Sequence, residues 1–207
     1  MERSNVTKAT LGRLPQYLQF LNGLPPGQYD HISATTIAKM LSLGEVQVRK
    51  DLAAVSRLGK PKVGYRTSEL ITDLEDALGC KKLTPAILVG AGKLGRALLD
   101  YNGFEEYGVQ ITAAFDCNEQ VLRMNKTSKE ILPISSLKKY CAENGIRIGI
   151  ITVGSGSAQD VCDQMLEAGI TAIWNFAPCQ LKVPDNVLVK QENLALSLAH
   201  LNSQISK

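Results

Sequence analysis

The sequence lacks the cysteine spacing of a zinc knuckle or of a disulfide framework. Its five cysteines form no CxxC pair, and at least 16 residues separate any two of them. No apolar run approaches the ~20 residues that a membrane helix needs, and the first residues, MERSNVTK, lack the apolar region of a signal peptide. We therefore expect a cytoplasmic protein with no membrane partner and no metal site. Most cysteines are expected to pack in the core, with Cys117 and Cys179 as the candidates for oxidation.

Charge is spread unevenly along the 207 residues, which favours two domains over one. Residues 1–66 carry ten Lys and Arg against four Asp and Glu, whereas residues 67–207 carry 13 against 16. Basic side chains gain free energy by displacing counterions from phosphates, so we expect the N-terminal part to bind a polyanion. The alternative is a basic surface that is only solvated.

Two short helices are predicted within residues 33–58, because apolar residues recur there at helical spacing. Ser33 is a suitable N-cap for the first helix, and SLG at 42–44 predicts a turn before the second. The apolar positions are Ile37, Met40, Leu41, Val48, Leu52, Val55 and Leu58. This is the outline of a helix-turn-helix, whose second helix enters the major groove of DNA.

The outward face of the second helix is predicted to carry Gln47, Arg49 and Lys50. Glutamine can pair with adenine, and arginine or lysine can pair with guanine or with phosphate. Helical pairs of this composition also occur in proteins that never touch DNA, so the pattern alone leaves both interpretations open.

A basic hairpin is predicted directly after this helix, in GKPKVGY at residues 59–65. Lys60 and Lys62 flank its proline and would lie along phosphates, and Tyr65 closes the hairpin as a further predicted DNA contact. This wing favours DNA binding over the alternative.

Amphipathic helices are predicted on both sides of this motif. The first tolerates Pro15 in its first turn or at a kink, and the last is ended by Gly79. Their apolar positions are Leu11, Leu14, Leu18 and Leu21, and then Leu70, Ile71, Leu74 and Leu78. We therefore predict a winged-helix DNA-binding domain over residues 1–82.

The segment ILVGAGKLGRALLDY, residues 87–101, places three glycines between an apolar run and a helical pattern. AILV at 86–89 predicts a buried strand of a parallel sheet, and VQITAAFD at 109–116 predicts the next strand. That strand ends in Asp116, 21 positions after Gly95. A strand, glycine turn, helix, strand and acid in this order form the fingerprint of a Rossmann-type dinucleotide-binding domain.

Each glycine of the fingerprint has a separate predicted role. Gly90 permits the tight turn, Gly92 lets a pyrophosphate approach the backbone, and Gly95 allows close packing of helix on strand. Asp116 would accept hydrogen bonds from ribose hydroxyls and repel a 2′-phosphate, which favours NAD(H) over NADP(H). Two alternatives are a Rossmann turn that binds nothing and a variant that binds another adenylate such as coenzyme A.

Two further strands are predicted in RIGIITVG at 147–154 and AIWNFAP at 172–178, with a helix between them. The residues at 154–157 and 175–178 would then follow the carboxyl ends of strands, where the ligand crevice of such a sheet lies. They would either contact the nicotinamide half of the dinucleotide or serve only as turns. We predict that the Rossmann domain spans residues 83–190.

The tail, residues 191–207, is predicted to form a helix with one apolar stripe of Leu194, Leu198, Leu201 and Ile205. A terminal helix left over after a complete sheet can pack on a partner chain, so we predict that it dimerises the protein. A homodimer would also supply the two-fold symmetry with which major-groove readers bind palindromic DNA.

Two features disfavour an enzyme: the sequence has few histidines, and few residues remain outside the predicted domains. A dehydrogenase needs an acid or base at the hydride, and the two histidines, His31 and His200, lie in the basic segment and on the terminal helix. Lys, Tyr or Cys could substitute, but no segment large enough for a substrate domain remains. A nucleotide fold joined to a DNA reader instead suggests a switch in which each ligand weakens the binding of the other.

These segments together resemble the Rex family, redox-sensing transcriptional repressors of bacteria. The similarity rests on QVRKDLAAVSRLGKPKVGY, LVGAGKLGRALLDYNGF, AAFD, ITVGSGSAQ and IWNFAP, in this order over nearly the whole chain. It implies a homodimer with an N-terminal winged helix, a Rossmann domain and a domain-swapped C-terminal helix. Such proteins bind palindromic operators and release them when NADH rises relative to NAD⁺.

The resemblance also implies roles for individual residues. Arg49, Lys50, Lys60 and Lys62 would lie against DNA. The implied contacts are Gly92, Lys93 and Leu94 for the pyrophosphate, Asp116 for the ribose, and Tyr101, Thr152, Val153, Gly154, Asn175 and Phe176 for the nicotinamide. Gly90, Ala91 and Gly95 complete the predicted cofactor site.

Three features depart from the family's usual pattern. Pro61 and Lys62 stand where the wing usually has Arg and Gly, and TVGSGSAQ replaces a common T-V-P segment. Gln19 and Asn193 stand where some members have an Arg and an Asp that pair in one state of the switch. A hydrogen bond between Gln19 and Asn193 can replace the ion pair with roughly half the strength of a charge-assisted bond, which leaves the direction and size of the coupling between the ligands open.

Overall fold

The computed structural model describes residues 6–123, 127 and 129–205. They form two compact units. The first unit runs to Leu83 and includes Glu105–Gly108, and the second is built from Thr84–Phe104 and from Val109 onward. None of the helices in this described part of the chain is long and apolar enough to cross a membrane.

The first unit contains four helices and a two-stranded sheet among its described residues. In chain order these are α1 (Lys8–Asn22), β1 (His31–Ile32), α2 (Ala34–Met40), α3 (Glu45–Val55), β2 (Tyr65–Arg66) and α4 (Thr67–Leu78). The predicted caps are confirmed: the Ser33 side chain accepts a hydrogen bond from the Thr36 N–H, and Gly79 ends α4 in the left-handed region with φ 78°. Pro15 lies inside α1.

The core of the first unit is formed by the predicted apolar faces, with three corrections. Met40 and Leu58 are exposed, by 58% and 50%, and Leu11 is exposed at the start of α1. Met40 is the last residue of α2 and Leu41 takes the inward position, whereas Leu58 lies beyond the end of α3, where helical spacing no longer applies. The buried side chains include Leu14, Tyr17, Leu18, Leu21, Ile37, Val48, Leu52, Leu70 and Leu74.

The predicted hairpin is present between α3 and β2. Lys60 and Gly64 form an antiparallel bridge with backbone hydrogen bonds of 2.9 Å in both directions, and Lys62 at the tip has φ 64°. The sheet below pairs Ile32 with Tyr65. Helix-turn-helix and wing together give the predicted winged-helix architecture.

The described residues of the second unit form a six-stranded, entirely parallel sheet, with helices in the connections up to β7 and no helix between β7 and β8. Its strands are β3 (Thr84–Val89), β4 (Val109–Asp116), β5 (Ile131–Pro133), β6 (Ile148–Ile151), β7 (Ala172–Asn175) and β8 (Leu188–Gln191). Its helices are α5 (Lys93–Leu99), α6 (Glu119–Arg123), α7 (Leu137–Asn144), α8 (Ser155–Glu167) and α9 (Leu194–Ile205). The spatial order β5-β4-β3-β6-β7-β8 is that of the Rossmann fold, which confirms the predicted fold class.

Both faces of the inner strands are buried, as in other parallel sheets, whereas the edge strand β8 is exposed. Along β3, Ile87 and Val89 pack on one face while Leu88 packs on the other. The strand order changes direction between β3 and β6, so the loops after these two strands diverge and leave a crevice. That crevice is where the glycine turn lies.

Helix α9 is uncovered along its whole length in the single chain. Its large apolar residues, Leu194, Leu196, Leu198, Leu201 and Ile205, are exposed by 58–79%. An apolar face of this size on a terminal helix is typical of a surface that another chain covers.

Candidate functional sites

The glycine turn after β3 is shaped by its neighbours on both sides. Gly90 has φ 103°, a conformation open to glycine, and its N–H donates to the Phe115 carbonyl oxygen at 2.8 Å. A Cβ atom at Gly90 would lie 2.7 Å from the Val153 side chain. The turn is therefore held between the ends of β4 and β6.

The other two glycines differ in what surrounds them. A Cβ atom at Gly95 would overlap the Gly90 carbonyl oxygen, so α5 can approach the turn only because this residue has no side chain. A Cβ atom at Gly92 would meet nothing within 4 Å. Gly92 is thus not required by packing, and the open space beside it fits the predicted approach of a pyrophosphate to the backbone. Lys93 and Leu94 beside it are exposed.

Asp116 lies at the carboxyl end of β4 and faces the turn. Its Oδ2 accepts a hydrogen bond of 2.8 Å from the Ala91 N–H, and its Oδ1 accepts one of 2.8 Å from the Asn118 N–H. The carboxylate therefore braces the glycine turn in addition to its predicted role toward ribose hydroxyls. A carboxylate oxygen has lone pairs left for a further donor after one such bond.

Two polar side chains fix the turn in ways that the sequence did not indicate. The Thr152 hydroxyl donates to the Gly90 carbonyl oxygen at 2.7 Å, and Arg96 Nε donates to the Ala91 carbonyl oxygen at 3.0 Å. Thr152 was predicted to lie near the nicotinamide, whereas Arg96 was not predicted at all. The position of Arg96, one residue after the last glycine of the fingerprint, is the signal that could have suggested it.

An apolar groove of about 540 Å³ lies on the second unit, along α5 and past its C-terminal end. Four aromatic rings follow one another along it, with centroid separations of 5.0, 5.7 and 4.5 Å. They belong to Tyr101, Phe104, Trp174 and Phe176. Tyr101 and Phe176 were predicted at the nicotinamide, while Phe104 and Trp174 were missed. A flat aromatic ring system such as nicotinamide fits such a surface by stacking and edge contacts.

The remaining predicted nicotinamide residues fall into two groups. Val153 contacts the glycine turn and Gly154 is the exposed N-cap of α8, so both lie at the crevice. The Asn175 side chain, in contrast, is fully buried. Its Nδ2 donates to the Cys179 carbonyl oxygen and to Gln191 Oε1, and its Oδ1 accepts from the Ala177 N–H. Asn175 therefore shapes the loop after β7, and this corrects the expectation of a direct contact with the ligand.

The predicted DNA contacts in the first unit are exposed except for one. Gln47, Arg49 and Lys50 are exposed on α3, where Arg49 forms an ion pair with Glu45 one turn earlier. Lys60 and Lys62 are exposed on the wing. Tyr65 is the exception, because it is 8% exposed and packs in the core with its ring beneath Gly59. The structure thus assigns Tyr65 to supporting the wing instead of to the predicted surface contact.

A buried carboxylate on α3 was not anticipated from the sequence. Asp51 is 1% exposed and accepts five hydrogen bonds, from Thr10, Arg13, Tyr17 and Gln47. Burial by itself would raise the pKa of Asp51, but these hydrogen bonds, Arg13 first, lower it to about 2. Burial, together with the bond to Asp51, raises the pKa of Tyr17 to about 12. The network fastens α1 to α3.

Comparison with known proteins identifies the family of this chain. A family model described as "CoA binding domain" matches residues 81–179, and one described as "Putative DNA-binding protein N-terminus" matches residues 5–53. A redox-sensing transcriptional repressor Rex from Clostridium botulinum is 35% identical over 204 residues, covering 99% of this chain and 97% of the relative. The Treponema denticola repressor of the same name is 40% identical over 189 residues, covering 91% of this chain and 90% of the relative. This chain belongs to the Rex family.

Solved structures of the family have the same fold. RSP, described as a Rex-family repressor, is 32% identical over 97% of this chain and 93% of its own, with a TM-score of 0.85. The structure of RSP in complex with β-NAD⁺ and operator DNA aligns over 97% of this chain and 92% of the RSP chain, with a TM-score of 0.88. The structure of RSP with β-NADH aligns over 97% of this chain and 94% of the RSP chain, with a TM-score of 0.86. The resemblance found from the sequence motifs is thus confirmed, and Rex relatives are repressors, not enzymes.

Proposed function

We propose that this chain is a DNA-binding repressor that senses the ratio of NADH to NAD⁺. NADH bound to the second unit releases a homodimer from a palindromic operator. The observation that carries the proposal is the open space at Gly92, beside a carboxylate at the end of β4, in a chain that also contains a winged helix. The relative RSP, solved with operator DNA and NAD⁺ and separately with NADH, supports it.

The cofactor is assigned to the crevice at the ends of β3, β4 and β6. The pyrophosphate lies over residues 92–94, Asp116 accepts from the adenosine ribose, and the nicotinamide enters the aromatic groove near Tyr101 and Phe176. NAD(H) supplies the redox state that is sensed, and the chain's own groups only bind and orient it. No proton donor for hydride chemistry is needed.

DNA is assigned to the first unit, within the domain predicted over residues 1–82. Arg49 and Lys50 on α3 reach the major groove, with Gln47 beside them, and Lys60 and Lys62 of the wing contact phosphates. The C-terminal helix, residues 191–207, joins two chains. Since the operator lies on the chromosome, the repressor acts in the bacterial cytoplasm.

Coupling between the two ligands is reciprocal: if NADH weakens operator binding, the operator weakens NADH binding by the same factor. At the switch positions, the Asn193 side chain accepts a hydrogen bond from the Leu196 N–H and so caps α9, while Gln19 is exposed on α1. A neutral pair at these positions stabilises either state less than an ion pair would.

The test is the fluorescence anisotropy of a labelled palindromic operator of the Rex type, bound by the protein at fixed salt. NADH, NAD⁺ and coenzyme A are titrated separately into the complex. Release by NADH at concentrations where NAD⁺ has little effect is the expected result. Tight binding that is indifferent to both nicotinamide cofactors would contradict sensing, and release by coenzyme A alone would support the adenylate alternative suggested by the family model.

A further inference from the structure

The Gln47 side chain, on the predicted DNA-facing surface of α3, is tied to a buried carboxylate. Its Nε2 donates to Asp51 Oδ1 at 3.1 Å, one turn further along the helix. The same oxygen accepts hydrogen bonds from Thr10 and Arg13, and the other oxygen accepts from Arg13 and Tyr17. Asp51 therefore cannot rotate toward another partner, and it offers Gln47 a fixed acceptor.

The charge of Asp51 decides which end of the Gln47 amide faces it. The hydrogen bonds hold the pKa of Asp51 at about 2, so the carboxylate is ionised at neutral pH and accepts only. The carbonyl end of the amide would meet the carboxylate with repulsion. Only the NH₂ end of Gln47 can face Asp51, and the amide has a single favoured orientation.

The rest of the amide is then presented outward as a defined edge. One N–H of Nε2 binds Asp51, which leaves Oε1 as an acceptor and the second N–H as a donor. In the major groove, adenine presents the complementary pair, a donor at N6 and an acceptor at N7. Guanine presents two acceptors and would leave Oε1 facing an oxygen or nitrogen lone pair.

We propose that Asp51 is a positioning residue for DNA specificity, which orients the Gln47 amide before binding so that it reads an adenine in each operator half-site. This inference rests on the proposed operator binding. Pre-orientation also reduces the rotamer freedom that Gln47 loses on binding. Asp51 does so from the protein interior, without touching DNA.

Operators that carry 7-deazaadenine at one half-site position at a time test the inference, because this base lacks the N7 acceptor. Affinities are measured at fixed salt for the wild-type chain and for Gln47→Ala, Asp51→Ala and Tyr17→Phe. Tyr17→Phe is the matched control, since it removes a buried hydrogen bond to Oδ2 of Asp51 but leaves the bond to Gln47.

At one half-site position, we expect 7-deazaadenine in place of adenine to weaken operator binding by the wild-type chain roughly tenfold. Binding by the Tyr17→Phe variant should weaken by the same factor. The Gln47→Ala and Asp51→Ala variants should bind the adenine and 7-deazaadenine operators with equal affinity. Retention of the wild-type difference by Asp51→Ala would overturn the positioning role, and wild-type binding insensitive to every substitution would show that Gln47 does not read an adenine. Failure of the wild-type chain to bind the unmodified operator would instead overturn the proposed function.

A measurement on the folded wild-type chain covers the case in which Asp51→Ala does not fold. Relaxation of the Gln47 side-chain NH₂ group in ¹⁵N NMR, assigned by its loss in Gln47→Ala, reports its mobility without DNA. An order parameter close to that of the α3 backbone supports pre-orientation. A value below about 0.6, typical of a mobile group, would overturn it.

Discussion

The hydroxyl of Thr152, just after β6, donates a hydrogen bond of 2.7 Å to the carbonyl oxygen of Gly90, just after β3. A second acceptor of the same hydroxyl, the Val89 carbonyl oxygen, lies at 3.2 Å. β3 and β6 are the neighbouring strands between which the sheet order changes direction. One side chain thus fixes the two loops that border the crevice, and the glycine turn is held in shape before any ligand arrives.

Replacing Thr152 with Val keeps the shape of the side chain and removes the hydroxyl. We expect the second unit to lose about 1–2 kcal/mol of unfolding free energy, because the Gly90 carbonyl oxygen loses its donor. NADH affinity should fall as well. Thr152→Ser, which keeps the hydroxyl, should restore most of both. Urea unfolding followed by the fluorescence of Trp174, the single tryptophan, measures the stability of this unit; equal stability of the Val and Ser variants would contradict the role.

Two glycine substitutions should separate ligand binding from folding. Gly95→Ala forces a Cβ atom against the Gly90 carbonyl oxygen and should destabilise the second unit by about 3 kcal/mol. Gly92→Ala meets nothing in the protein, so its stability should change by less than about 0.5 kcal/mol. Its NADH affinity should nevertheless fall at least tenfold, because the methyl group would occupy the space assigned to the pyrophosphate.

Gly12→Ala is the control for the glycine pair. Gly12 lies in α1, outside the assigned cofactor site, with nothing within 4 Å of the added Cβ atom, and alanine favours a helix by about 1 kcal/mol over glycine. Unfolding curves and NADH titration calorimetry of all three variants make the comparison. NADH binding by Gly92→Ala at wild-type strength would contradict the assigned path of the pyrophosphate.

Cofactor choice should depend on the charge of Asp116. Asp116→Asn can still accept from the Ala91 N–H but no longer repels a 2′-phosphate, so the gap between the dissociation constants for NADH and NADPH should narrow. Asp116→Ala should narrow the gap and also weaken NADH. Calorimetric titration with both cofactors measures the gap, with Cys117→Ser as the neighbouring control. A gap that stays the same in both Asp116 variants would rule out the assigned role.

The fold and the glycine turn could be predicted because their signals are local. The strand at 109–116 was predicted with the bounds that the structure has, since its apolar run ends sharply at an acid. The Asp51 network could not be predicted, because a charged residue in a DNA-binding helix normally faces solvent and its partners on α1 lie 34–41 positions away along the chain. Asn175 was predicted to contact the nicotinamide and Tyr65 to contact DNA for a similar reason. Tertiary packing decides whether a polar or aromatic side chain is buried, and the spacing of residues in the sequence does not show that packing.

Dimerisation should depend on the exposed face of α9. Leu198→Glu combined with Leu201→Glu places two charges on this face, and burying them against another chain would cost several kcal/mol. We expect the double variant to sediment as a monomer and to bind a palindromic operator far more weakly than the wild-type chain. Gln204→Glu, on the same helix, is the matched control and should remain dimeric. A double variant that still sediments as a dimer would place the interface elsewhere.

Acid should weaken the first unit through Asp51. The pKa of this carboxyl is lowered from 3.8 to about 2 in the folded chain, so its contribution is complete above about pH 4 and is lost as the pH falls toward 2. At about 1.4 kcal/mol per pKa unit, the contribution is about 2 kcal/mol. Asp51→Asn should therefore have a lower unfolding free energy than the wild-type chain at pH 7. Between pH 5 and pH 2, however, the drop in its unfolding free energy should be about 2 kcal/mol smaller than that of the wild-type chain. Urea unfolding followed by NMR resonances of α1 and α3 measures this difference in the first unit alone. If the unfolding free energies of the two chains changed equally with pH, the hydrogen bonds to Asp51 would not favour its ionised form. A network that stabilised the ionised and neutral forms equally would add no pH dependence to the stability.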